Sequence, residues 1–241
     1  MEISSWLNVQ DFYHYVFILL VSYLIVVGFF RLIVYRIQKI KHLKIQKNVQ
    51  GNFSIKNQII NSLFYILFSA MLLTVLKQLS IVGVFKFYLD IDQFGWVYAF
   101  FSVLIFIVGF DAYYYFSHRL LHTRLLYKYV HGVHHKVKSP SAETIFCLHP
   151  LEAVGFLSYQ AIFLYFIPMH PLALIFCQRA IEYNNIMSHS GYEFYTSWFR
   201  RKAFIINTNS NHDEHHRLVN CNYGYFFTHW DFIFKTFRKS D

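Results

Sequence analysis

Eight histidines in three short groups are the residues of this 241-residue chain best suited to chemistry. Neutral imidazole binds iron, zinc, copper and nickel well, and magnesium or calcium poorly. One ion takes about four to six ligands, so eight nitrogens are too many for one ion and predict a site for two metals. The groups contain His118 and His122, then His131, His134 and His135, and finally His212, His215 and His216.

The spacing within each group supports the same interpretation. On a helix, residues four apart share a face, so His118 and His122 would project their rings together. The second and third groups both have the order H-x-x-H-H, and each is expected to grip a metal ion from one helical turn. A lone histidine is usually structural or solvated, but a repeated order at this spacing favours metal binding.

The composition indicates a membrane protein. Hydrophobic residues make up 56% of the chain and charged residues 15%, whereas soluble domains carry about a quarter charged residues. The net charge of +9 could suggest nucleic-acid binding, but the basic residues flank apolar runs and are expected to face anionic lipid headgroups. The three dispersed cysteines form no C-x-x-C pair, which argues against a disulfide scaffold or a cysteine-bound cluster.

Three apolar runs are expected to cross the membrane as helices, over residues 13–35, 58–76 and 95–110. Residues 1–11 are polar and acidic rather than basic, so the first run is expected to be retained as an anchor. The third helix is expected to continue at Asp111 into the polar end that carries the first histidines.

Charge then predicts the topology. The connection from Arg31 to Lys56 is basic, has no acidic residue and contains a turn signal at Gly51 and Asn52. The positive-inside rule places this connection in the cytoplasm. The third helix then returns to the cytoplasm with the histidines.

The apolar run over residues 154–180 decides whether the histidines can meet. A single crossing would put residues 212–216 on the opposite side of the membrane from residues 118–135. Pro168, His170 and Pro171 interrupt the run, because proline cannot continue a regular helix. We therefore predict a hairpin of two short helices, each about 20 Å long and short of a full crossing.

Together these features predict an all-α, multi-pass helical membrane protein whose cytoplasmic, histidine-rich cap holds a dinuclear metal site. Residues 1–92 are expected to form the N-terminal anchor helices and basic loop, and residues 93–241 the catalytic domain. The basic residues at 200–202 are expected to lie on the cytoplasmic side.

The sequence resembles the fatty acid hydroxylase and sterol desaturase superfamily, whose members are membrane di-iron proteins with histidine boxes. The resemblance covers most of residues 95–240. It rests on HRLLH at 118–122, HGVHH at 131–135, HDEHH at 212–216, HPLE at 149–152, HSGY at 189–192 and NYGYFFTHWDFIFKT at 222–236. It implies two iron ions held by histidines, and O2-dependent hydroxylation or desaturation of a lipid. The HPLE and HSGY segments resemble sterol C4-methyl oxidases and the tail resembles C5-desaturases, so a sterol, a fatty-acyl chain or a related alkyl lipid all remain open.

Further site residues follow from the resemblance and from ligand chemistry. His189 is the better additional ligand by resemblance, and His149 is the weaker one. No catalytic residue distinct from the metal ligands is expected. A carboxylate or amide on the second ring nitrogen would fix the tautomer of a ligand histidine, and Asp111, Glu152 and Asn185 are the candidates for this.

The electrons are expected to come from another protein, because the chain has no dinucleotide-binding or haem-attachment motif. A basic cytoplasmic surface would suit an acidic donor such as a cytochrome b5-like protein or a ferredoxin. We expect a multi-pass protein of the endoplasmic reticulum if the source is eukaryotic, or of the inner membrane if it is bacterial.

A non-redox metal-binding membrane protein is the alternative. A metallohydrolase would be expected to carry an H-E-x-x-H pair, which this sequence lacks. A metal transporter would place its ligands inside spanning segments near the midplane. Here the histidines follow the ends of the apolar runs, among arginines and lysines.

Overall fold

The computed structural model describes residues 8–46, 53–196, 198 and 205–239. Within these ranges the chain forms α-helices and short 3-10 helices with no β-strand, which confirms the predicted all-α class. Among the described residues, three helices are long and apolar enough to cross a membrane. The α-helices are α1 (Val9–Leu32), α2 (Ile55–Ile81), α3 (Gly95–Leu121), α4 (Arg124–Tyr129), α5 (Glu152–Phe166), α6 (Pro171–Ser188), α7 (Asn209–Leu218) and α8 (His229–Ile233).

Helices α1 and α2 pack against each other, and they are antiparallel, because Asp11 near the start of α1 pairs with Lys77 near the end of α2. Each begins at a capping side chain that accepts a backbone amide: Asn8 from Gln10 at 3.0 Å, and Ser54 from Asn57 at 3.3 Å. At about 1.5 Å per residue the 27 residues of α2 are about 40 Å long, more than a bilayer core of about 30 Å. The predicted runs 13–35 and 58–76 fall within the two candidate spans Val9–Arg36 and Ile55–Ile81.

The basic connection after α1 lies at the histidine end of the molecule. Two 3-10 helices, Val34–Arg36 and Gln38–Leu43, lead into an isolated bridge between Lys44 and Tyr192. The Gln46 amide then donates to the Asp213 carboxylate at 2.7 Å, inside the HDEHH box. The predicted turn at residues 51–52 and the basic residues at 200–202 lie outside the described residues.

Helix α3 runs from the opposite end of the molecule to the first histidines. It packs against α5 and α6 through a buried aromatic core that includes Phe106, Phe110 and Phe163. Gly109 permits a close approach, because a β-carbon there would lie 2.5 Å from the Tyr159 hydroxyl. The predicted continuation is correct: α3 is one helix from Gly95 to Leu121.

Helices α5 and α6 form the predicted hairpin. Helix α5 ends at Phe166 and α6 begins at Pro171, where the His170 ring accepts the Leu172 amide as an N-cap. Both outer ends lie at the histidines, since Glu152 contacts His131 and His189 contacts His134.

The hairpin consists of two short helices as predicted, 15 residues in α5 and 18 in α6, and neither is among the candidate spans of the described residues. Its tip meets the connection between α2 and α3, where the Met169 amide donates to the Lys86 carbonyl at 3.0 Å and the Lys86 amide donates to Leu164 at 2.8 Å. The two short helices therefore extend to the segment that joins the far ends of two candidate spans.

Candidate metal centre

Nine buried or partly buried histidines form two adjacent groups that could each hold a metal ion. Within each group the candidate ligand atoms lie within 4.8 Å of one another. The groups adjoin, with the ring centroids of His135 and His216 5.0 Å apart. The group of five contains His118, His122, His131, His135 and His215; the group of four contains His134, His189, His212 and His216.

Each H-x-x-H-H box divides its histidines between the two groups. His131 and His135 belong to the group of five, whereas His134 between them belongs to the group of four. The HDEHH box does the reverse, with His212 and His216 in the group of four and His215 in the group of five.

The histidines four residues apart therefore share a group as expected, His131 with His135 and His212 with His216, but the expectation that all three histidines of a box grip one ion is wrong. Neighbouring side chains leave an α-helix about 100° apart, and a 3-10 helix about 120° apart. The adjacent histidines of a box must therefore point in different directions.

The separations of the ring nitrogens fit shared metal ions. The Nε2 atom of His131 lies 3.1 Å from Nε2 of His118 and 3.1 Å from Nε2 of His135. In the group of four, Nε2 of His189 lies 3.3 Å from that of His134 and 3.1 Å from that of His212. Two nitrogens each about 2.1 Å from one ion and at right angles would be about 3 Å apart.

Oxygen acceptors hold the other ring nitrogen of six of these histidines. When Nδ1–H donates to an oxygen, Nε2 keeps its lone pair for a metal. One acceptor is a side chain, Glu152, at 2.7 Å from His131 Nδ1. The others are backbone carbonyls: Tyr223 for His118 at 3.0 Å, Cys147 for His134 at 3.1 Å, Asn185 for His189 at 2.8 Å, Cys221 for His215 at 2.6 Å and Val137 for His216 at 2.9 Å.

Burial keeps the imidazoles neutral, which is the form that binds metals. It lowers the pKa of His131 to about 3 and that of His189 to about 4. Burial also lowers the pKa of the histidines at 134, 135, 212, 215 and 216 well below the ordinary value, and that of the partly buried His122 as well.

Unpartnered buried nitrogens give a further test of fit. Among the described residues, Nε2 of His215, Nε2 of His216 and both ring nitrogens of His122 have no hydrogen-bond partner. A buried polar atom without a partner costs free energy, and a bound ion is one way to satisfy it. The donor set, its neutrality and these free nitrogens all suit a pair of nitrogen-preferring metal ions.

The three residues expected to orient ligand histidines lie in different surroundings. Glu152 contacts His131 as expected. Asp111 does not reach a histidine: its Oδ1 accepts the backbone amides of Phe226 and Phe227 at 2.7 and 3.1 Å, and so fixes the segment before α8. The Asn185 side chain donates to the Ile145 carbonyl at 3.1 Å, and it is the backbone carbonyl of Asn185 that His189 contacts.

His149 lies outside both groups. Its Nδ1 accepts the Leu151 amide at 3.2 Å and its own amide donates to Glu152 Oε1 at 3.0 Å. It therefore helps to begin α5 and to position Glu152. The backbone carbonyls that hold the histidines could not be identified from residue types, because every residue has one.

A mostly apolar cavity of about 250 Å³ lies against the histidines. It contacts two members of the group of five, His118 and His131, and two of the group of four, His134 and His189. Its remaining wall comes from α3, α5, the connection before α5 and Asn185 of α6. These residues include Phe110, Tyr114, Leu121, Leu148, Leu151 and Phe156. The arrangement can present one apolar molecule to both groups.

Comparison with known proteins agrees with this site. Residues 103–236 match the fatty acid hydroxylase family model. The chain is 34% identical over 164 residues to a lathosterol oxidase of Rattus norvegicus, covering 66% of this chain and 53% of that protein. It is 33% identical over 142 residues to a Delta(7)-sterol 5(6)-desaturase of Gibberella zeae, covering 58% and 43% of the two chains.

A Delta(7)-sterol 5(6)-desaturase of Schizosaccharomyces pombe is 28% identical over 154 residues, covering 64% of this chain and 45% of that protein. The chain spans about half the length of the curated relatives it matches. No match was found among solved structures. The family model covers more than half of the 241 residues and includes all nine grouped histidines. The chain therefore belongs to the fatty acid hydroxylase family, within the superfamily that also contains the sterol desaturases.

Proposed function

We propose that this protein is an O2-dependent oxidoreductase that hydroxylates or desaturates a membrane lipid at a pair of iron ions. The lipid would be a sterol, a fatty-acyl chain or a related alkyl compound. The names of the relatives support oxidation of a lipid. The observation that carries the proposal is the apolar cavity that contacts both histidine groups.

The nine grouped histidines would hold the two ions, five around one and four around the other. Iron bound there would supply the redox chemistry that activates O2 towards unactivated C–H bonds. The protein's own residues do the rest. Glu152 and the backbone carbonyls hold the rings in one tautomer, and the aromatic wall excludes water and aligns an alkyl chain.

The electron donor would be an acidic cytochrome b5-like protein or a ferredoxin that docks at the basic end of the molecule. The basic connection after α1 supports this, because it lies over the HDEHH box through the contact of Gln46 with Asp213. By the positive-inside rule this end would face the cytoplasm. The membrane would be the endoplasmic reticulum in a eukaryote or the inner membrane in a bacterium. The division into an anchor at 1–92 and a catalytic domain at 93–241 also remains a prediction.

Lipid profiling tests the function directly. Mass spectrometry would compare lipids from cells that lack the chain, cells that express it and cells that express His134→Ala. We expect an oxidised lipid in the wild type that the variant does not make. A wild-type profile identical to that of the deletion strain would contradict the proposal.

The same cells also test the alternative of a non-redox metal-binding protein, which the comparisons do not favour. A transporter would change the metal content of the cell and leave its lipids unaltered. The need for an external electron source has a separate test. If the purified protein oxidised lipid with no reductant or donor protein present, that need would be contradicted.

A further inference from the structure

A second, larger cavity adjoins the one at the histidines. It has a volume of about 550 Å³ and lies between α1, α2, α5 and α6. The two cavities share four lining residues, Phe110, Leu148, Phe156 and Asn185. These four side chains therefore form a wall between the metal-facing cavity and the second one.

Polar side chains line this second cavity together with apolar ones. On the hairpin, Gln178 of α6 donates to Gln160 of α5 at 2.9 Å. Polar groups among membrane helices are costly and are usually functional. Packing does not require this pair, since the hairpin already closes through its buried aromatic core.

The glutamine pair retains both donors and acceptors for a ligand. In the part of the chain that the structure describes, Gln160 and Gln178 make no other side-chain hydrogen bond. One amide NH2 and one carbonyl therefore remain, whichever way the two amides are oriented. A hydroxyl group donates one hydrogen bond and accepts others, so it matches both.

The charges lining the same cavity are already paired. Arg179 forms an ion pair with Glu182, and Lys77 forms one with Asp11 at 2.6 Å. Both cations therefore already have an acidic partner. A lipid carboxylate or phosphate would have to compete with that partner for the cation. The cavity is thus better suited to a neutral hydroxyl than to an anionic headgroup.

We propose that Gln160 and Gln178 bind the hydroxyl group of a neutral lipid whose apolar part passes the Phe156 wall to the histidines. The proposal rests on the proposed function, since it assigns the polar end of the same substrate. Gln160 follows Glu152 by eight residues on α5, and Gln178 precedes His189 by eleven at the end of α6. At about 1.5 Å per residue, the hydroxyl would lie about 12–17 Å from the site of oxidation.

Lipid binding to the metal-free protein tests this without relying on turnover. The probes are hexadecanol, hexadecanoic acid and hexadecane, measured by calorimetry in detergent. We expect the wild type to prefer the alcohol. The double variant Gln160→Leu, Gln178→Leu should bind the alcohol roughly tenfold more weakly, with hexadecane binding unchanged.

Gln78→Leu is the matched control, because Gln78 is also a helical, hydrogen-bonded glutamine but does not line the cavity. It should bind all three lipids as the wild type does. Equal affinity of the alcohol for the wild type and the double variant would overturn the assignment, as would a preference of the wild type for the acid.

The orientation has its own test. Two photoreactive hexadecanols would carry a diazirine either beside the hydroxyl or at the far end of the chain. We expect the first to label residues near Gln160 and Gln178, and the second to label residues near Leu121 and Leu151. The reverse pattern would place the hydroxyl at the histidines and overturn the proposal. If cells show no lipid oxidation but these patterns hold, the proposed function fails and the binding site stands.

Discussion

The group of five histidines and the group of four differ in what holds their outer ring nitrogens. In the group of four, the carbonyls of Cys147, Asn185 and Val137 accept from three of the rings. In the group of five, His131 depends on a side chain, the buried carboxylate of Glu152. The orientation of the rings in the group of four is thus set by the path of the backbone. The group of five also depends on one replaceable, negatively charged side chain.

The difference matters because a carboxylate acts on a metal site in two ways. It fixes the tautomer as a carbonyl does, and it also makes the ligand imidazole more basic. An ion in the group of five would therefore be bound by a more strongly donating set. This contrast between the groups can be tested by removing ligands from each group and then by removing the carboxylate.

The largest effects should come from one ligand of each group. His135→Ala and His212→Ala should each lower lipid oxidation at least about 100-fold, more than the loss of an orienting partner costs. Metal content by mass spectrometry should fall from two ions per chain to one in each variant. If either variant loses both ions, the groups are not independent sites and the comparison between them fails.

Glu152→Gln should have the next largest effect. Glutamine keeps an oxygen that can accept from His131 but removes the charge. We expect roughly a 10- to 100-fold loss of metal affinity at the group of five, with the group of four unchanged. Metal titration of the purified variant would measure this, with Ser158→Ala as a control on the same helix. Equal weakening of both groups would show that the carboxylate does not distinguish them.

Asp111→Ala should affect stability rather than metal binding. Asp111 accepts the amides of Phe226 and Phe227 and touches no histidine. Leaving these buried donors unsatisfied should cost about 1–3 kcal/mol. Thermal unfolding in detergent should therefore show a lower midpoint, while metal content per folded chain stays at two. A loss of metal at unchanged stability would place Asp111 in the site after all.

Residue type and spacing predicted the parts of this site that side chains determine. The eight box histidines, the helical spans and the interruption at Pro168 and Pro171 all follow from the chemistry of single residues. The sharing of each box between two groups did not, because it depends on where the third box, α7, approaches the other two. The contacts of the histidine rings with the carbonyls of Cys147 and Cys221 could not be predicted either. The sequence does not show which backbone oxygen will accept from a buried ring.

His149→Ala should have the smallest effect and tests the boundary of the centre. His149 lies three residues before Glu152 but belongs to neither group, and within the described residues its ring accepts the Leu151 amide alone. Loss of that contact should cost about 0.5–1.5 kcal/mol at the start of α5. The backbone amide that holds Glu152 remains in the variant, so metal content should stay at two and lipid oxidation should change by less than about threefold. A variant that lost one ion would instead show that His149 binds metal in the folded protein, and one of the two groups would then have a further ligand.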